Sequence, residues 1–159
     1  MPGFELEPEV AQDPPGDRAD LLLAEGRAGI GGPRVAVLQP QTFMNESGRS
    51  VGPARGALKV ELDHLVVLHD EIDLPFGEVR SRVGGGLAGH NGLKSLRAGL
   101  GSPEFARVRI GVGRPDSTDP DIVASYVLGR WQQSKAEVDD LVRSAADAAE
   151  DLVRGSSER

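Results

Sequence analysis

The sequence predicts an α/β sandwich built around a mixed sheet, and two observations lead to this prediction. Short apolar runs bounded by turn residues alternate along the chain with segments of helical spacing, as strands and helices do when they follow one another. The chain has 159 residues and is 38% apolar, which is enough for one domain with packed layers around a core.

The first predicted elements are a loose arm and a hairpin. Residues 1–18 contain four prolines and several acids with little periodicity, which predicts an arm without regular structure. The apolar runs Leu21–Ala24 and Arg34–Leu38 flank a turn at Gly31–Pro33, so they are expected to pair as a hairpin. The segment Gln39–Gln41 ends the second strand, because its central proline cannot donate to the ladder.

The middle of the chain is predicted to contribute one helix and two strands. Ser47 is a candidate N-cap for a helix over residues 48–58, although three glycines within that range weaken it. The run Leu65–Leu68 is typical of a strand that is buried on both faces. The segment Glu78–Val83 alternates as a half-buried strand does.

The last part of the chain alternates loops, a strand and helices. A glycine loop at Gly84–Gly86 precedes a helix that is expected to begin near Asn91. Val108–Val112 is the next predicted strand, and a turn-rich loop follows at Gly113–Asp121. From residue 134 to residue 153 apolar residues recur at helical spacing, which predicts the clearest helix of the chain.

Charge is distributed unevenly along the chain. A net charge of −7 argues against a general nucleic-acid binder, but residues 78–114 contain seven basic and only two acidic residues. Such a local concentration attracts phosphate even when the whole protein is acidic. The basic residues are Arg80, Arg82, Lys94, Arg97, Arg107, Arg109 and Arg114. The alternative interpretation is an ordinary solvated basic face.

Several classes of protein are excluded or disfavoured by composition. Cysteine is absent, so the chain has no disulfides, thiolate ligands or thiol nucleophiles. No apolar run approaches the roughly 18 residues that a membrane-spanning helix needs. The acidic start of the sequence does not resemble a secretory signal. These features favour a cytoplasmic location.

Asp70 is the first candidate for chemistry, because it follows an apolar strand within the segment HDEID. A partly desolvated carboxylate at a strand end can orient a general base, as in hydrolytic triads. The alternative is a turn or capping carboxylate, a common position for aspartate after a strand. A metal site formed with His69, Glu71 and Asp73 is a weaker hypothesis, because neighbouring strand-end residues rarely converge on one ion.

The loop GGGLAGHNGLKS, residues 84–95, is the second candidate. Consecutive glycines let backbone N–H groups approach an anion, and the start of a helix near Asn91 adds the positive end of its dipole. The loop has neither the Walker spacing nor the context of a dinucleotide-binding fingerprint. The alternative to an anion site is that the glycines only form turns. In that case Asn91 caps the helix and its amide does not bind a ligand. His90 is unusual in such a loop.

The third candidate is QTFMNESG, residues 41–48. An exposed Phe43 can stack on a nucleobase or ribose, and the Asn45 amide can donate to a carbonyl oxygen as it gains charge. Burial of Phe43 and Met44 in the core, with Asn45 in a turn, is equally compatible with the spacing. All three candidate segments directly follow predicted strands, so they are expected to face one crevice.

In this order and at these intervals, the segments resemble the bacterial peptidyl-tRNA hydrolase family. QPQTFMNESG is similar to its motif P-x-T-F/Y-M-N-x-S-G, and VVLHDEIDLPFGEVRSRVGGGLAGHNGLKS to its strand end H-D-E-L/I-D and loop G-G-G-x-x-G-H-N-G-L-K. FARVRIGVGRP resembles a further family strand, and YVLGRW the segment before the last helix. The resemblance implies a single-domain three-layer sandwich with a mixed, mostly parallel sheet over residues 19–154, followed by a tail at 155–159.

The resemblance also implies an activity. The family hydrolyses the ester between a peptide and the 3′ ribose of tRNA, without metal or cofactor, and so returns tRNA to translation. Asp70 resembles the carboxylate that orients the catalytic base, and Asn45 the amide donor near the scissile ester. The positions similar to tRNA-binding ones are Phe43, Asn45, His90 and Asn91 at the 3′ end and Arg82 and Arg109 at the 5′ phosphate. The implied partner is peptidyl-tRNA, bound by a monomer.

One departure from the family concerns catalysis. Family members begin with a strand, the motif G-L-G-N-P-G and a helix-opening R-H-N whose histidine is the general base, and residues 1–18 contain no match. The histidines present are His64, His69 and His90, of which only His90 is a candidate substitute. We therefore expect the first strand of the family sheet to be missing and hydrolysis to be weak or absent. We also expect low stability unless a partner covers the exposed sheet edge.

The sequence allows other interpretations of this departure. One is a relative that binds tRNA or another RNA without catalysis, since the recognition residues match while the base does not. Another is a truncated and unstable gene product, and a third is a start codon that was assigned too late. A phosphate-binding protein outside this family is the weakest alternative.

Overall fold

The structure, a computed structural model, describes residues 21–87 and 90–157, so the arm predicted for residues 1–18 lies outside the described residues. The strands described are β1 (Leu21–Arg27), β2 (Arg34–Pro40), β3 (Val66–Glu71), β4 (Val79–Val83) and β5 (Ala106–Gly111). The helices are α1 (Ser47–Leu58), α2 (Asn91–Leu100), α3 (Pro120–Leu128) and α4 (Lys135–Ser157). Short 3-10 turns occur at Met44–Glu46 and Leu62–His64. None of the helices described is long and apolar enough to cross a membrane.

The chain divides into two compact units. Among the described residues, the first contains 21–65, 83–87, 90–105 and 153–157, and it includes β1, β2, α1 and α2. The second contains Val66–Arg82 and Ala106–Leu152, and it includes β3, β5, most of β4, α3 and most of α4.

In the first unit, β1 and β2 form the predicted antiparallel hairpin, with Leu21 opposite Pro40. Both strands extend beyond the apolar runs that predicted them. The connection closes through a hydrogen bond of 3.0 Å from the Ala28 N–H to the Pro33 carbonyl. Gly29 lies in this connection with a φ of +78°, a conformation that residues with a side chain rarely adopt.

The contact between α1 and α2 is made by glycines. A Cβ at Gly48 would lie 1.9 Å from the Ser95 carbonyl oxygen, and a Cβ at Gly99 would lie 2.3 Å from the Gly48 carbonyl oxygen. The Gly48 N–H donates to Ser95 Oγ at 2.9 Å. Gly56 takes no part, since a Cβ there would meet nothing within 4 Å. Two of the three glycines that were expected to weaken α1, at positions 48 and 52, instead permit the close approach of the two helices.

The start of α1 differs from the prediction, in which Ser47 was the N-cap. Ser47 is the first helical residue, the cap position is Glu46, and the Glu46 side chain makes no capping hydrogen bond. The 3-10 turn before the helix explains the difference. It supplies carbonyl acceptors for the first N–H groups, such as the Met44 carbonyl for the Ser47 N–H, so a side-chain cap is not needed.

The second unit contains a three-stranded sheet in the order β3-β5-β4. β3 and β5 are parallel. Hydrogen bonds from the Gly84 N–H to the Phe105 carbonyl and from the Gly111 N–H to the Glu78 carbonyl lie at the two ends of β4, so β4 runs antiparallel to β5. The predicted α/β class with a mixed sheet is confirmed.

One face of this sheet is apolar and packs against α4. Its packing residues are Val66, Val79, Val108 and Ile110 of the sheet and Ala145 and Ala149 of α4. Because side chains alternate along a strand, the positions between these residues point to the other face. The antiparallel register pairs Arg80 with Arg109 and Arg82 with Arg107, and all four arginines belong to that second face.

β3 is longer than predicted, and the expectation that it is buried on both faces was wrong. The predicted Leu65–Leu68 is observed as Val66–Glu71, and the Leu68 side chain is 48% exposed. The reason is its position, because β3 is an edge strand among the strands that the structure describes. A strand with a neighbour on only one side leaves part of its side chains uncovered.

Helix α3 lies partly in the segment predicted as the loop Gly113–Asp121. Its start carries a recognisable signal. The Asp119 carboxylate accepts a hydrogen bond of 2.8 Å from the Asp121 N–H, and Pro120 is the first helical residue.

Helix α4 confirms the prediction of a long C-terminal helix. It starts with a capping box, in which the Glu137 N–H donates to Ser134 Oγ at 3.2 Å and the Ser134 N–H donates to Glu137 Oε1 at 3.4 Å. The helix continues to Ser157, so residues 155–157 of the predicted tail are helical.

Candidate functional site

In the first unit, two of the candidate segments meet at Gly92. A Cβ at Gly92 would lie 2.9 Å from Met44 Cγ and 2.8 Å from His90 Cε1. Ser47 Oγ also reaches the Gly92 carbonyl at 3.5 Å. The 3-10 turn of the segment 41–48 therefore packs directly against the start of α2, and a side chain at position 92 would displace Met44 or His90.

The side chains around this contact are turned outward. Phe43 is 80% exposed and Met44 is 47% exposed, so the alternative that buried both in the core is wrong. Asn45 and Asn91 are also exposed. The contact thus presents an aromatic ring and two carboxamides at the surface of one unit, which is a suitable arrangement for stacking on a base and for donating hydrogen bonds to a polar ligand.

His90, and not Asn91, caps α2. His90 Nδ1 accepts a hydrogen bond of 3.2 Å from the Leu93 N–H, and Asn91 is the first helical residue. The accepting nitrogen must carry the lone pair, so in a neutral ring the proton is on Nε2. In this tautomer Nε2 cannot take a proton from water. His90 would have to give up the cap before it could act as a general base.

The glycine loop before α2 does not offer an open anion site at its first residue. Gly84 has a φ of +65°, and a Cβ there would lie 2.4 Å from Glu104 Oε2. A carboxylate already lies against this glycine, and like charge disfavours a second anion at the same position. Residues 88 and 89 of this loop lie outside the described residues.

In the second unit, Asp70 lines a cavity at the end of β3. The cavity has a volume of about 180 Å³, and its other lining residues include Val112, Tyr126 and residues 129–133. Asp70 is a strand residue and is half-buried, so it is not the turn carboxylate of the alternative interpretation. A partly desolvated carboxylate facing a cavity is suited to orienting a cationic or hydrogen-bonding partner.

Aromatic residues form part of the surroundings of this cavity. The Tyr126 hydroxyl donates to the Val112 carbonyl at 2.6 Å, which ties α3 to the end of β5. Trp131 meets Phe76 edge to face, with ring centroids 5.9 Å apart and an interplanar angle of 75°. Sequence reasoning missed Tyr126 and Trp131 as neighbours of Asp70. Their only signal was their place in YVLGRW, which was compared with the family but assigned no role.

His69 does not face the same side of the sheet as Asp70. Neighbouring residues of a strand point to opposite faces, and His69 is buried, with 8% of its surface exposed. Its Nδ1 donates to the backbone carbonyl of Asp70 at 2.8 Å. The Asp70 carboxylate therefore has no geometry for orienting the His69 ring as a base.

The acidic residues after Asp70 are paired with arginines. Glu71 forms an ion pair with Arg109, with 3.6 Å between Glu71 Oε2 and Arg109 Nε. Asp73 is paired with Arg114, and the Asp73 N–H donates to Glu71 Oε1 at 3.2 Å. In residues 21–87 and 90–157 no cluster of three or more His, Asp or Glu side chains is arranged to hold a metal ion.

The predicted basic patch is divided between the two units. Lys94 and Arg97 lie in the first, and the other five residues lie in the second. Of the four arginines on the sheet face opposite α4, Arg80 and Arg82 are exposed, Arg109 is about one quarter exposed and Arg107 is 1% exposed. Arg82 is the diagonal cross-strand neighbour of Arg109, a spacing that lets two long side chains reach one ligand.

Comparisons with known proteins agree with one another. A family model described as Peptidyl-tRNA hydrolase matches residues 9–159. A peptidyl-tRNA hydrolase of Methylocella silvestris is 49% identical over 130 residues, covering 81% of this chain and 65% of the relative. One of Sorangium cellulosum is 48% identical over 141 residues, covering 88% of this chain and 62% of the relative. The chain therefore spans a little under two thirds of the length of these curated relatives.

A solved structure is similar as well. The crystal structure of peptidyl-tRNA hydrolase from Acinetobacter baumannii superimposes with a TM-score of 0.72 and 32% sequence identity. The similarity covers 87% of this chain and 69% of that chain.

Proposed function

The chain belongs to the peptidyl-tRNA hydrolase family, and we propose that it serves the hydrolysis of the ester that joins a peptide to the 3′ ribose of tRNA. The observation that carries this proposal is the contact at Gly92. It brings the exposed Phe43 and Asn45 to the start of α2, where Asn91 is exposed. The products are a free peptide and a tRNA that returns to translation.

At the 3′ end of tRNA, each exposed residue has a distinct role in this proposal. Phe43 stacks on a base or ribose of the terminal nucleotides, because an exposed ring offers a flat apolar surface. The Asn45 amide donates to the ester carbonyl oxygen as negative charge develops on it. Asn91 contributes hydrogen bonds to the same ligand, and His90 holds α2 in place through its capping hydrogen bond.

Asp70 is proposed to orient the catalytic base. In this mechanism a histidine takes a proton from water, and the Asp70 carboxylate stabilises the imidazolium that forms. The chain contains three histidines. His69 points to the other face of the sheet, and His90 Nδ1 is engaged in the cap. His64 is exposed in a 3-10 turn of the first unit. We therefore propose that the 159-residue chain by itself hydrolyses its substrate slowly or not at all.

Binding without catalysis is the second candidate function, and the same histidines favour it. The exposed surface at Gly92 and the arginines of the sheet provide groups that can bind tRNA or another RNA. This binding does not depend on a catalytic histidine. In that case the protein binds the 3′ end without cleaving the ester.

The 5′ phosphate of tRNA is proposed to bind Arg82 and Arg109. The two residues are diagonal neighbours on one face of the sheet, and Arg82 is exposed. Arginine binds phosphate through paired N–H donors, so two guanidinium groups at this spacing are suited to a terminal phosphate.

We further propose that the protein acts as a monomer in the cytoplasm. Light scattering coupled to gel filtration checks the first of these, with a mass near 16.8 kDa expected.

The decisive experiment measures release of free tRNA from an N-blocked aminoacyl-tRNA by the purified chain, after circular dichroism has verified folding. An Asp70→Asn variant is measured beside it. Asp73→Asn is the matched control, because Asp73 is a carboxylate of the same segment that is paired with Arg114 outside the cavity. Binding of the same tRNA is measured in parallel.

Three outcomes are informative. Binding with no turnover supports the binding function and the proposal that this chain is catalytically weak. Turnover that collapses in Asp70→Asn but persists in Asp73→Asn contradicts the weak-catalysis proposal and supports the role of Asp70, and His90→Ala is then the next variant. If a folded chain shows no turnover and no binding, the proposed function is overturned.

A further inference from the structure

Glu71 is a buried carboxylate that the proposed mechanism does not use. Only 7% of the residue's surface is exposed, although it stands at the end of β3, next to Asp70. Both of its oxygens are engaged, Oε1 by the Asp73 N–H at 3.2 Å and Oε2 by Arg109 Nε at 3.6 Å. A buried carboxylate that is held from two sides has little freedom to move, so whatever it contacts is held in turn.

The partner of Glu71 is one of the two arginines proposed for the 5′ phosphate. The ion pair is made through Arg109 Nε, so it does not require the two terminal nitrogens, which form the fork that binds phosphate oxygens. Arg109 is 26% exposed, so its guanidinium is partly reachable from solvent. Because the Glu71 charge is already shared between an N–H group and Nε, it opposes an incoming phosphate less than a free carboxylate does.

The neighbouring arginines of this sheet face are held differently. Arg80 pairs with Glu78 at 3.1 Å, but the side chains of both residues are exposed, at 63% and 44%. An exposed pair of this kind restrains a guanidinium weakly. Unlike Arg80, Arg109 is therefore oriented by a buried partner.

We propose that Glu71 is a positioning residue, which holds the Arg109 guanidinium ready for a terminal phosphate of RNA. The inference rests on the proposed function, in which that phosphate is the 5′ end of tRNA. Its physical basis is preorganisation. A free arginine side chain loses rotamer freedom when it binds phosphate, whereas an arginine already held by a buried carboxylate loses less and binds more tightly.

The test uses two RNA hairpins with the sequence of a tRNA acceptor stem, one with a 5′ phosphate and one with a 5′ hydroxyl. Fluorescence anisotropy gives the ratio of their Kd values, which reports the phosphate contact alone and needs no catalysis. We expect the chain to bind the phosphorylated hairpin about tenfold more tightly, as a charge-assisted contact of this kind provides. Glu71→Gln should lower the ratio to about threefold, and Arg109→Gln should lower it further, to the part that Arg82 alone contributes.

Two further variants show whether the effect passes through Arg109. Adding Glu71→Gln to Arg109→Gln should change the ratio no further, because the positioned group is already absent. Glu78→Gln is the matched control, since it removes the partner of Arg80 on the same face, and it should leave the ratio unchanged. If Glu71→Gln does not fold, Glu71→Asp is measured in its place. This variant keeps the negative charge but shortens the side chain by one methylene, so it should also lower the ratio of Kd values.

A folded Glu71→Gln or Glu71→Asp with an undiminished ratio overturns the inference, and so does a ratio that rises, which would mean that Glu71 competes with the phosphate. The outcomes separate this inference from the proposed function. A chain that hydrolyses N-blocked aminoacyl-tRNA but binds both hairpins equally overturns the phosphate site and keeps the enzyme. A chain that prefers the phosphate but does not hydrolyse, and loses the preference in Glu71→Gln, supports the inference without catalysis.

Discussion

The two units of the chain support their candidate residues by different physical means. In the first, the turn that carries Phe43 and Asn45 continues into α1, and α1 meets α2 through glycines whose backbones touch. In the second, Asp70 and Arg109 stand on strands whose apolar face packs on α4 through side chains such as Val108. A contact between backbones has no room for an added atom, whereas packed side chains lose stability when atoms are removed. Alanine should therefore destabilise both supports for opposite reasons, the first because it adds an atom and the second because it removes atoms.

Gly48→Ala should produce the largest effect, because it breaks the backbone contact of the first unit. Its Cβ would lie 1.9 Å from the Ser95 carbonyl, so α1 and α2 must separate. We expect a loss of about 3 kcal/mol in the free energy of unfolding, at the upper end for overpacking. Urea denaturation followed by circular dichroism measures it.

The control for this prediction lies on the same helix. Gly56→Ala adds the same methyl group where nothing lies within 4 Å, and alanine favours helix, so the protein should become more stable by about 0.5–1 kcal/mol. Equal unfolding midpoints for the two variants would contradict the account of the glycine contact.

Val108→Ala tests the effect of removing packed atoms in the second unit. Val108 is fully buried between the sheet and α4, so the substitution leaves a cavity and should lower the free energy of unfolding by about 2 kcal/mol. Val142→Ala on α4 is the control, because Val142 is 60% exposed and its loss should change stability by less than about 0.5 kcal/mol. A similar loss in both variants would argue against this face of α4 as the packed one.

Phe43→Ala should have the smallest effect on stability and a clear effect on binding. The ring is 80% exposed, so the free energy of unfolding should change by less than about 0.5 kcal/mol. Loss of one stacking contact should weaken binding of a single-stranded tRNA 3′ end about tenfold. Leu128→Ala, which removes another highly exposed apolar side chain in the second unit, should leave binding unchanged. Equal binding by both variants would remove Phe43 from the proposed site.

Most elements with local signals were predicted, with α3 as the exception, whereas features that depend on neighbouring elements were not. The hairpin follows from a turn between two apolar runs and α4 from apolar residues at helical spacing, and both were confirmed. Helix α3 was not predicted, although Asp119 and Pro120 signal its start; these two residues were included in the predicted loop Gly113–Asp121, and residues 122–128 were assigned to no element. Ser47 was taken for a cap because the 3-10 turn before it cannot be recognised from composition.

The candidate site was predicted as a set of residues but not as an arrangement. Phe43, Asn45, Asp70, Asn91, Arg82 and Arg109 were all chosen from motifs, and their roles remain proposals. The sequence left open whether Phe43 was buried, and the structure exposes it. It indicated His90 as a possible base, whereas the fold uses its Nδ1 as the cap of α2. It contained no indication that Glu71 would pair with Arg109.

The sequence by itself determined the α/β class, most of the strands and helices, and the motifs that assign the chain to its family, because each is written in a short stretch of neighbouring residues. Only the tertiary structure decided which glycines carry a helix contact, which face of the sheet bears the arginines and which carboxylate holds Arg109. These properties depend on strand register and on atoms contributed by distant parts of the chain. A local pattern of residue types does not encode the distance between such atoms.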